Sequence, residues 1–200
     1  MAILRACLNQ FNKRMQTIQT AGAAEQTINK SKFLAWAAAC KTEAEVGSFL
    51  RAIAAQHQTA HHLAYAFRIK TSEGIIPRFS DAGEPSGTAG KPILQMLEGQ
   101  QLINVCVVVI RYYGGVNLGT GGLARAYGGT AKMALAAAQI VDFIEMQEIN
   151  VTVDYNQLDS LLHAVAQHKG TVLDKVFDSR VCVKINLPAQ QSQALLSRFS

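Results

Sequence analysis

A glycine-rich segment, residues 111–127, contains the residue types best suited to binding an anion. It follows an apolar stretch and precedes a predicted helix, where unpaired backbone N–H groups attract negative charge. Its glycines let the backbone approach a ligand closely. The alternative interpretation is a tight turn followed by close packing of the helix on a sheet. The residues predicted to bind an anion or RNA are Lys91, Arg111, Tyr112, Gly114, Gly115, Gly119, Gly121, Gly122 and Arg125.

This segment matches neither of two common nucleotide-binding motifs. It lacks the Gly-Lys-Ser/Thr ending of a Walker A loop, and Ala124 stands where the dinucleotide fingerprint has its third glycine. A nucleotide-binding glycine loop of another kind stays open. Tyr112 and Tyr113 stand beside Arg111, and such aromatic side chains stack on bases in single-stranded RNA binders. Packing at a strand end is the alternative role for these tyrosines.

Four glycines fall within or beside the helix predicted after this segment: Gly121, Gly122, Gly128 and Gly129. Each glycine in a helix interior costs about 1 kcal/mol relative to alanine. We therefore expect a close packing contact or a ligand to offset that cost.

A second group of polar residues lies upstream. The loop at residues 80–92 is rich in Gly, Ser and Pro, and a turn at its Gly83 would bring two carboxylates together. The predicted polar pocket consists of His61, His62, Asp81 and Glu84. An ordinary capped loop with backbone-bonded histidines is the alternative. Two histidines need a third ligand to hold zinc, which Asp81 or Glu84 could supply, but backbone-bonded histidines are the commoner arrangement, and we predict no metal. We also predict no cofactor and assign no catalytic residue.

Strand and helix patterns alternate along the chain. Predicted strands lie at 28–38, 62–69 and 103–111, and predicted helices at 43–57, 89–98 and 121–138. The continuous apolar run 105–110 predicts a central strand buried on both faces. Thr42 is the predicted N-cap of the first helix, with Glu45 as its capping-box partner. Residues 1–26 are only weakly patterned, and residues 79–88 are predicted to be a loop.

The last quarter of the chain follows the pattern β-α-β-β-α. Its predicted strands are 148–154, 171–177 and 180–187, and its helices are 155–168 and 189–199. A ferredoxin-like unit needs one further strand. The prediction is therefore an α+β protein with domains at 1–145 and 146–200, the second lacking its last strand.

Composition and charge limit the classes of function. Apolar residues make up 49% and charged residues 16% of the 200 residues, which excludes an intrinsically disordered chain. The longest apolar run is too short to cross a membrane, and the four dispersed cysteines favour a reducing cytoplasm. Residues 1–145 hold 14 Lys and Arg against 9 Asp and Glu, so the whole net charge of +5 lies there. This charge fits an anionic partner, or simply a mildly basic soluble protein.

The motifs of the first domain resemble the YigZ/IMPACT family. The resemblance rests on Lys30-Ser31-Lys32-Phe33, on Ala60-His61-His62, and on the segments 80–92 and 111–127 in this order. It covers about residues 28–200 and is nearest to the bacterial, two-domain YigZ type.

The resemblance implies a fold for each domain and a connection to translation. The first domain is expected to be similar to domain 2 of a small-subunit ribosomal protein, and the second to the ferredoxin-like last domain of elongation factor G. Eukaryotic IMPACT proteins restrain a kinase that shuts down translation initiation. No catalytic residues are carried over from the family.

Three features depart from the family pattern. Ala82 stands where a second Asp or Asn is usual, which argues against a metal or acid–base role for this loop. The first 25 or so residues do not look like the usual start, and the last strand of the second domain is not supplied.

The sequence thus leads to a non-enzymatic cytoplasmic protein that binds RNA or the ribosome and acts in the regulation of translation. The alternative is a small enzyme or sensor that binds a phosphorylated metabolite or nucleotide in a glycine-rich pocket. A protein partner is a third alternative. The oligomeric state is left undetermined.

Overall fold

The chain divides into two compact units between Phe143 and Ile144, and the computed structural model describes residues 14–199. The strands of the first unit are β1 (Gln16–Thr20), β2 (Gly22–Ile28), β3 (Ser31–Ala39), β4 (His62–Thr71), β5 (Gly74–Ser80), β6 (Val105–Tyr112) and β7 (Gln139–Asp142). Its helices are α1 (Glu43–Gln56), α2 (Gly90–Gly99) and α3 (Gly119–Ala137).

Five of these strands form one antiparallel sheet in the order β2-β3-β6-β4-β5. Strand β6 lies in the middle, and its residues from Val105 to Ile110 are all completely buried. The prediction of a central strand covered on both faces is confirmed, and Cys106 is a buried apolar residue there. Strands β1 and β7 form a separate antiparallel pair.

The main sheet is covered by helices on both faces. Val107 and Val109 of β6 contribute to the core beneath α2 and α3. Val108 and Ile110 face the opposite way, into the cluster that contains Ile53 of α1. Because side chains alternate along a strand, the next residue, Arg111, lies on the α2/α3 face.

Helix α1 begins as its sequence predicts. The Glu45 N–H donates to the Thr42 hydroxyl at 3.1 Å, which confirms Thr42 as the N-cap. The Glu45 carboxylate accepts from the backbone N–H of Lys41 at 2.7 Å, one residue before the N-cap. The Thr42 half of the predicted capping box is therefore confirmed, whereas Glu45 bonds the N–H of Lys41 instead of that of the N-cap.

The sequence patterns missed several strands. Residues 16–26 belong to β1 and β2, whereas residues 1–13 lie outside the described part of the chain. Strand β2 has no large apolar residue before Ile28, and at Gly22 the chain lies directly against the backbone of α3 near Ala134. Strand β5 extends into the predicted loop as a mostly exposed edge strand, which carries little periodic signal, and β7 has only four residues.

The second unit contains a three-stranded sheet. Its strands are β8 (Met146–Val153), β9 (Thr171–Phe177) and β10 (Val181–Pro188), and its helices are α4 (Leu158–Gln167) and α5 (Ala189–Phe199). The strand order β8-β10-β9 is antiparallel throughout. This is the order of the first three strands of a ferredoxin-like fold, and no fourth strand occurs among the described residues of this unit. The predicted α+β class is confirmed.

One close contact joins the β2–β3 hairpin to the glycine-rich segment. Asn29 and Lys30 form its two-residue turn with φ of 46° and 65°, the geometry typical of a type I′ turn. The Lys30 carbonyl lies against Gly114, where a Cβ atom would overlap it. Gly114 therefore fixes the distance between the hairpin and the end of β6.

We expect Gly114→Ala to lower the free energy of unfolding of the first unit by about 1–3 kcal/mol, the usual cost of overpacking. Urea unfolding followed by the fluorescence of Trp36, the single tryptophan, measures this. Gly99→Ala is the matched control, because a Cβ there meets no atom within 4 Å. Equal stability of the two variants would contradict the close contact.

Candidate functional site

A pocket of about 490 Å³ opens where β6 ends, β4 begins and α3 begins. We call it the main pocket. Its lining residues are His61, His62, Glu84, Pro85, Arg111, Tyr113, Asn117, Leu118, Gly119, Thr120 and Leu123. They come from the two segments that the sequence singles out, together with the start of β4.

A buried ion pair forms the inner wall of the main pocket. Arg111 Nη1 donates to Glu84 Oε1 at 2.9 Å, and the two side chains are 6% and 4% exposed. The Tyr127 hydroxyl donates to the same oxygen at 2.8 Å. Breaking such a pair is costly, because the remaining charge stays buried without its partner.

Tyr127 is completely buried in α3. Burial raises the pKa of its phenol, and the hydrogen bond to Glu84 raises it further. Tyr127 is therefore a permanent hydrogen-bond donor to the carboxylate. The arrangement joins α3, the loop 81–89 and β6 at one oxygen atom.

The Arg111 guanidinium is held on several sides. It lies 5.6 Å from the centroid of the Phe33 ring and 5.0 Å from that of Tyr113. Its Nη2 donates to the Ser31 hydroxyl at 3.3 Å, and the backbone N–H of Gly114 donates to the same hydroxyl at 3.2 Å. Its Nε is buried without a hydrogen-bond partner. Arg111 is consequently part of the pocket wall rather than a free surface cation.

One ring nitrogen of His62, Nε2, lies near the buried Glu84–Arg111 pair. Its Nδ1 lies 2.9 Å from the Ala82 carbonyl oxygen, and because a carbonyl only accepts, Nδ1 carries a proton. The other nitrogen, Nε2, lies 3.8 Å from Glu84 Oε1. In this tautomer the unprotonated Nε2 of His62 is a hydrogen-bond acceptor that faces the pocket wall.

His61 is fixed in the opposite tautomer. The backbone N–H of Tyr113 donates to His61 Nδ1 at 3.2 Å, so the neutral ring carries its proton on Nε2. The His61 backbone N–H donates to the Arg111 carbonyl at 3.0 Å. Neighbouring histidines thus offer the pocket different groups, a donor from His61 and a proton acceptor from His62.

Asp81 organises the loop instead of lining the main pocket. Its carboxylate accepts from the backbone N–H groups of Gly87, Ala89 and Gly90 at 2.8, 2.9 and 2.8 Å. Burial alone raises the pKa of Asp81, but these N–H donors outweigh it and leave the pKa below its usual value. Asp81 therefore holds the loop that presents Glu84 and begins α2.

The turn between these two carboxylates uses left-handed backbone. Ala82 and Gly83 have φ of 50° and 85°, a region that Asn and Asp tolerate better than other side chains. The left-handed backbone at position 82 therefore explains why Asp or Asn is expected there. What Ala82 offers the site is its carbonyl, which fixes His62.

The start of α3 supplies unpaired N–H groups. Gly119 begins the helix with φ of 68°, and Leu118 at the N-cap has no polar atom in its side chain. The first N–H groups of a helix have no partner within it, and 19 residues of helix add a positive dipole end. Since Gly119 and Thr120 line the main pocket, this end suits an anion.

The predicted residues separate into distinct places. Arg111, Gly119, His61, His62 and Glu84 line the main pocket. Tyr112 faces α1 instead, and its hydroxyl lies 3.0 Å from Nδ1 of His57.

The other predicted residues lie outside the main pocket. Lys91 is exposed on α2. Gly122 and Arg125 line a second cavity. Gly121 is exposed and lines neither cavity. Gly114 contacts Lys30, and Gly115 turns the chain with φ of 83°.

Sequence reasoning missed several residues of the site. Asn117 and Thr120 are polar residues inside the glycine-rich segment and carry no motif of their own. The sequence could have indicated Tyr127 and Ser31, because each lies among the buried residues of its helix or strand. A buried hydroxyl needs a hydrogen-bond partner, and here those partners are Glu84 and Arg111.

The described residues contain neither a metal-binding cluster nor a membrane-spanning helix. No group of three or more His, Cys, Asp or Glu side chains in residues 14–199 is placed to hold a metal ion. No helix in that part of the chain is long and apolar enough to span a bilayer.

Comparisons with known proteins agree with this architecture. The model of the Impact N-terminal domain matches residues 29–135, and that of a domain of unknown function (DUF1949) matches residues 151–200. An IMPACT family member of Haemophilus influenzae is 33% identical over 177 residues, 88% of this chain and 86% of the relative. The IMPACT family member YigZ of Escherichia coli is 33% identical over 179 residues, 88% of each chain.

A solved structure supports the same conclusion. It is titled the crystal structure of a hypothetical protein, with a TM-score of 0.69 and 30% identity over 92% of this chain and 90% of its own. The fold and pocket therefore define a two-domain α+β protein with a ligand-sized cleft in its first domain. The chain belongs to the IMPACT family, and the expected similarity to its YigZ type is confirmed.

We expect the stability that Asp81 contributes to depend on pH. Because the pKa is lowered in the folded state, this contribution is complete above the ordinary aspartate pKa of about 3.9. It is lost as the pH falls through the lower folded-state value. Asp81→Asn should lower the urea midpoint clearly at neutral pH and progressively less below about pH 4. A gap between variant and wild type that stayed constant with pH would contradict this.

We expect Arg111→Met to destabilise the first unit by about 3–5 kcal/mol, because it leaves the Glu84 carboxylate buried without its cation. Glu84→Gln in the same chain should restore part of that loss, since it removes the stranded charge. Urea unfolding with Trp36 fluorescence gives both values. Two independent, additive losses would show that the pair is not coupled.

Proposed function

We propose that this protein binds single-stranded RNA through its first unit and acts in the regulation of translation, at the ribosome in the cytoplasm. The observation that carries the proposal is the main pocket itself. It combines an uncapped helix start with an aromatic ring and a histidine donor. These are groups that recognise a phosphate and an unstacked base.

The dimensions and groups of the main pocket suit one nucleotide. Its volume of about 490 Å³ lies in the range of small-ligand sites. The phosphate binds at the first N–H groups of α3 and at His61 Nε2–H. The base stacks on Tyr113, whose side chain is 40% exposed beside the Arg111 guanidinium.

Charge distribution supports a polyanionic partner for the first unit. The excess of positive residues lies entirely in residues 1–145, while residues 146–200 are neutral overall. Arg111 adds little to this field because Glu84 neutralises it. Association with RNA therefore combines a modest electrostatic attraction with specific contacts in the main pocket.

Tyr113→Leu tests this arrangement. We expect it to weaken binding of single-stranded RNA about 5- to 150-fold, because one stacked base contributes about 1–3 kcal/mol. Fluorescence anisotropy between about 50 and about 300 mM salt separates this loss from the salt-dependent phosphate term. Tyr155→Leu is the matched control, an exposed tyrosine of the second unit.

Two results would contradict the proposal. One is unchanged RNA affinity in Tyr113→Leu. The other is the absence of saturable RNA binding by the wild type at low salt. Arg111→Ala is a poor probe, because it would disrupt the buried pair and report on folding.

A second candidate function is an enzyme or sensor for a free phosphorylated metabolite or nucleotide. The observation that favours it is His62, whose Nε2 is available as a proton acceptor beside a buried carboxylate. A thermal-shift screen with nucleotides and phosphosugars tests it. A ligand at 100 times its Kd stabilises by about 2.7 kcal/mol, and no shift across the screen would count against a free small ligand.

A further inference from the structure

A second cavity lies beside the main pocket. It encloses about 290 Å³ and is lined by Gln26, Ile28, Asn29, Leu118, Gly122, Arg125, Ala126 and Gly129. We call it the Arg125 pocket. The function proposed above leaves this cavity unused.

Two of the glycines in α3 line the Arg125 pocket. Gly122 and Gly129 are helix-interior residues, which weaken a helix. A Cβ at Gly129 would lie 3.6 Å from Gln26 Nε2, at ordinary contact distance and inside the cavity. Packing does not require glycine at 129, so the absence of a side chain there serves to leave the cavity open.

Arg125 supplies a positive charge that the protein does not neutralise. It is exposed, and no carboxylate in residues 14–199 forms an ion pair with it. The residues lining its pocket include no acidic side chain. Arg111 differs in this respect, because Glu84 neutralises it at 2.9 Å. The Arg125 pocket therefore contains a cation that no carboxylate among residues 14–199 neutralises.

The two cavities are adjacent on one helix. Leu118 lines both. Arg125 follows Gly121 by one turn on the same side of α3, and its Nη1 lies 3.4 Å from the Cβ position of Gly121. The Arg125 guanidinium therefore reaches back towards the first turn of α3, where the main pocket begins.

We propose that the two cavities are consecutive subsites for one RNA strand that crosses Leu118. The main pocket takes one nucleotide, and the Arg125 guanidinium binds the neighbouring phosphate. This inference rests on the RNA-binding function proposed above and specifies its ligand. The minimal ligand is a dinucleotide with two phosphates, not a mononucleotide.

The experiment compares uridine 5′-monophosphate with the 5′-phosphorylated di- and triuridylates on the full chain, by calorimetric titration at low salt. We expect the dinucleotide to bind at least about tenfold more tightly than the mononucleotide, as a charge-assisted contact implies. The third nucleotide should add little. Arg125→Gln should remove most of the gain from the second nucleotide and weaken binding of the mononucleotide far less.

Arg51→Gln is the matched control. Arg51 is an exposed arginine of α1, the helix on the opposite face of the sheet, and should leave all three affinities unchanged. If mono- and dinucleotides bind equally, the second subsite is wrong and the proposed function stands. An equal loss of both ligands in Arg125→Gln would also overturn the second subsite. If neither ligand binds the wild type, the proposed function fails and this inference with it.

Discussion

The ion pair between Glu84 and Arg111 is the interaction on which the candidate site depends. Its oxygen acceptor also binds the Tyr127 hydroxyl, so the loop 81–89, the end of β6 and the middle of α3 meet at one point. A charged pair of this kind gains little over apolar packing in stability, but it is intolerant of losing one partner. The pair therefore sets the shape of the pocket more than it stabilises the fold.

Neutralising Arg111 also decides where the ligand-binding charge lies. An arginine at the end of a central strand, next to glycines, resembles a phosphate-binding residue in sequence. In three dimensions Glu84 neutralises the charge of this arginine. The groups proposed to bind an anion are instead the start of α3 and Arg125. The same separation explains the two tyrosines, since alternation along β6 sends Tyr112 towards α1 while Tyr113 remains at the pocket.

The sequence predicted the elements whose cause is local, and it missed those whose cause is not. Strand β6 follows from a continuous apolar run, and helix α1 follows from its apolar stripe and its Thr42 N-cap. Strand β2 was not predicted because the small residue at Gly22 is required by a contact with Ala134 of α3, which lies more than 100 positions away. His61, His62 and Glu84 were placed together by their motifs. Asp81 was grouped with them because sequence proximity does not reveal that backbone N–H groups already surround its carboxylate.

The hydrogen bonds of the pocket give its polar groups fixed roles. Protonation of His61 at Nδ1 would set its new N–H against the Tyr113 N–H that now donates there. The Glu84 carboxylate already accepts two hydrogen bonds, and Tyr127 donates permanently to it. His62 Nδ1 is likewise held by the Ala82 carbonyl. Groups whose hydrogen-bonding roles are fixed in this way present a constant pattern of donors and acceptors to a bound molecule.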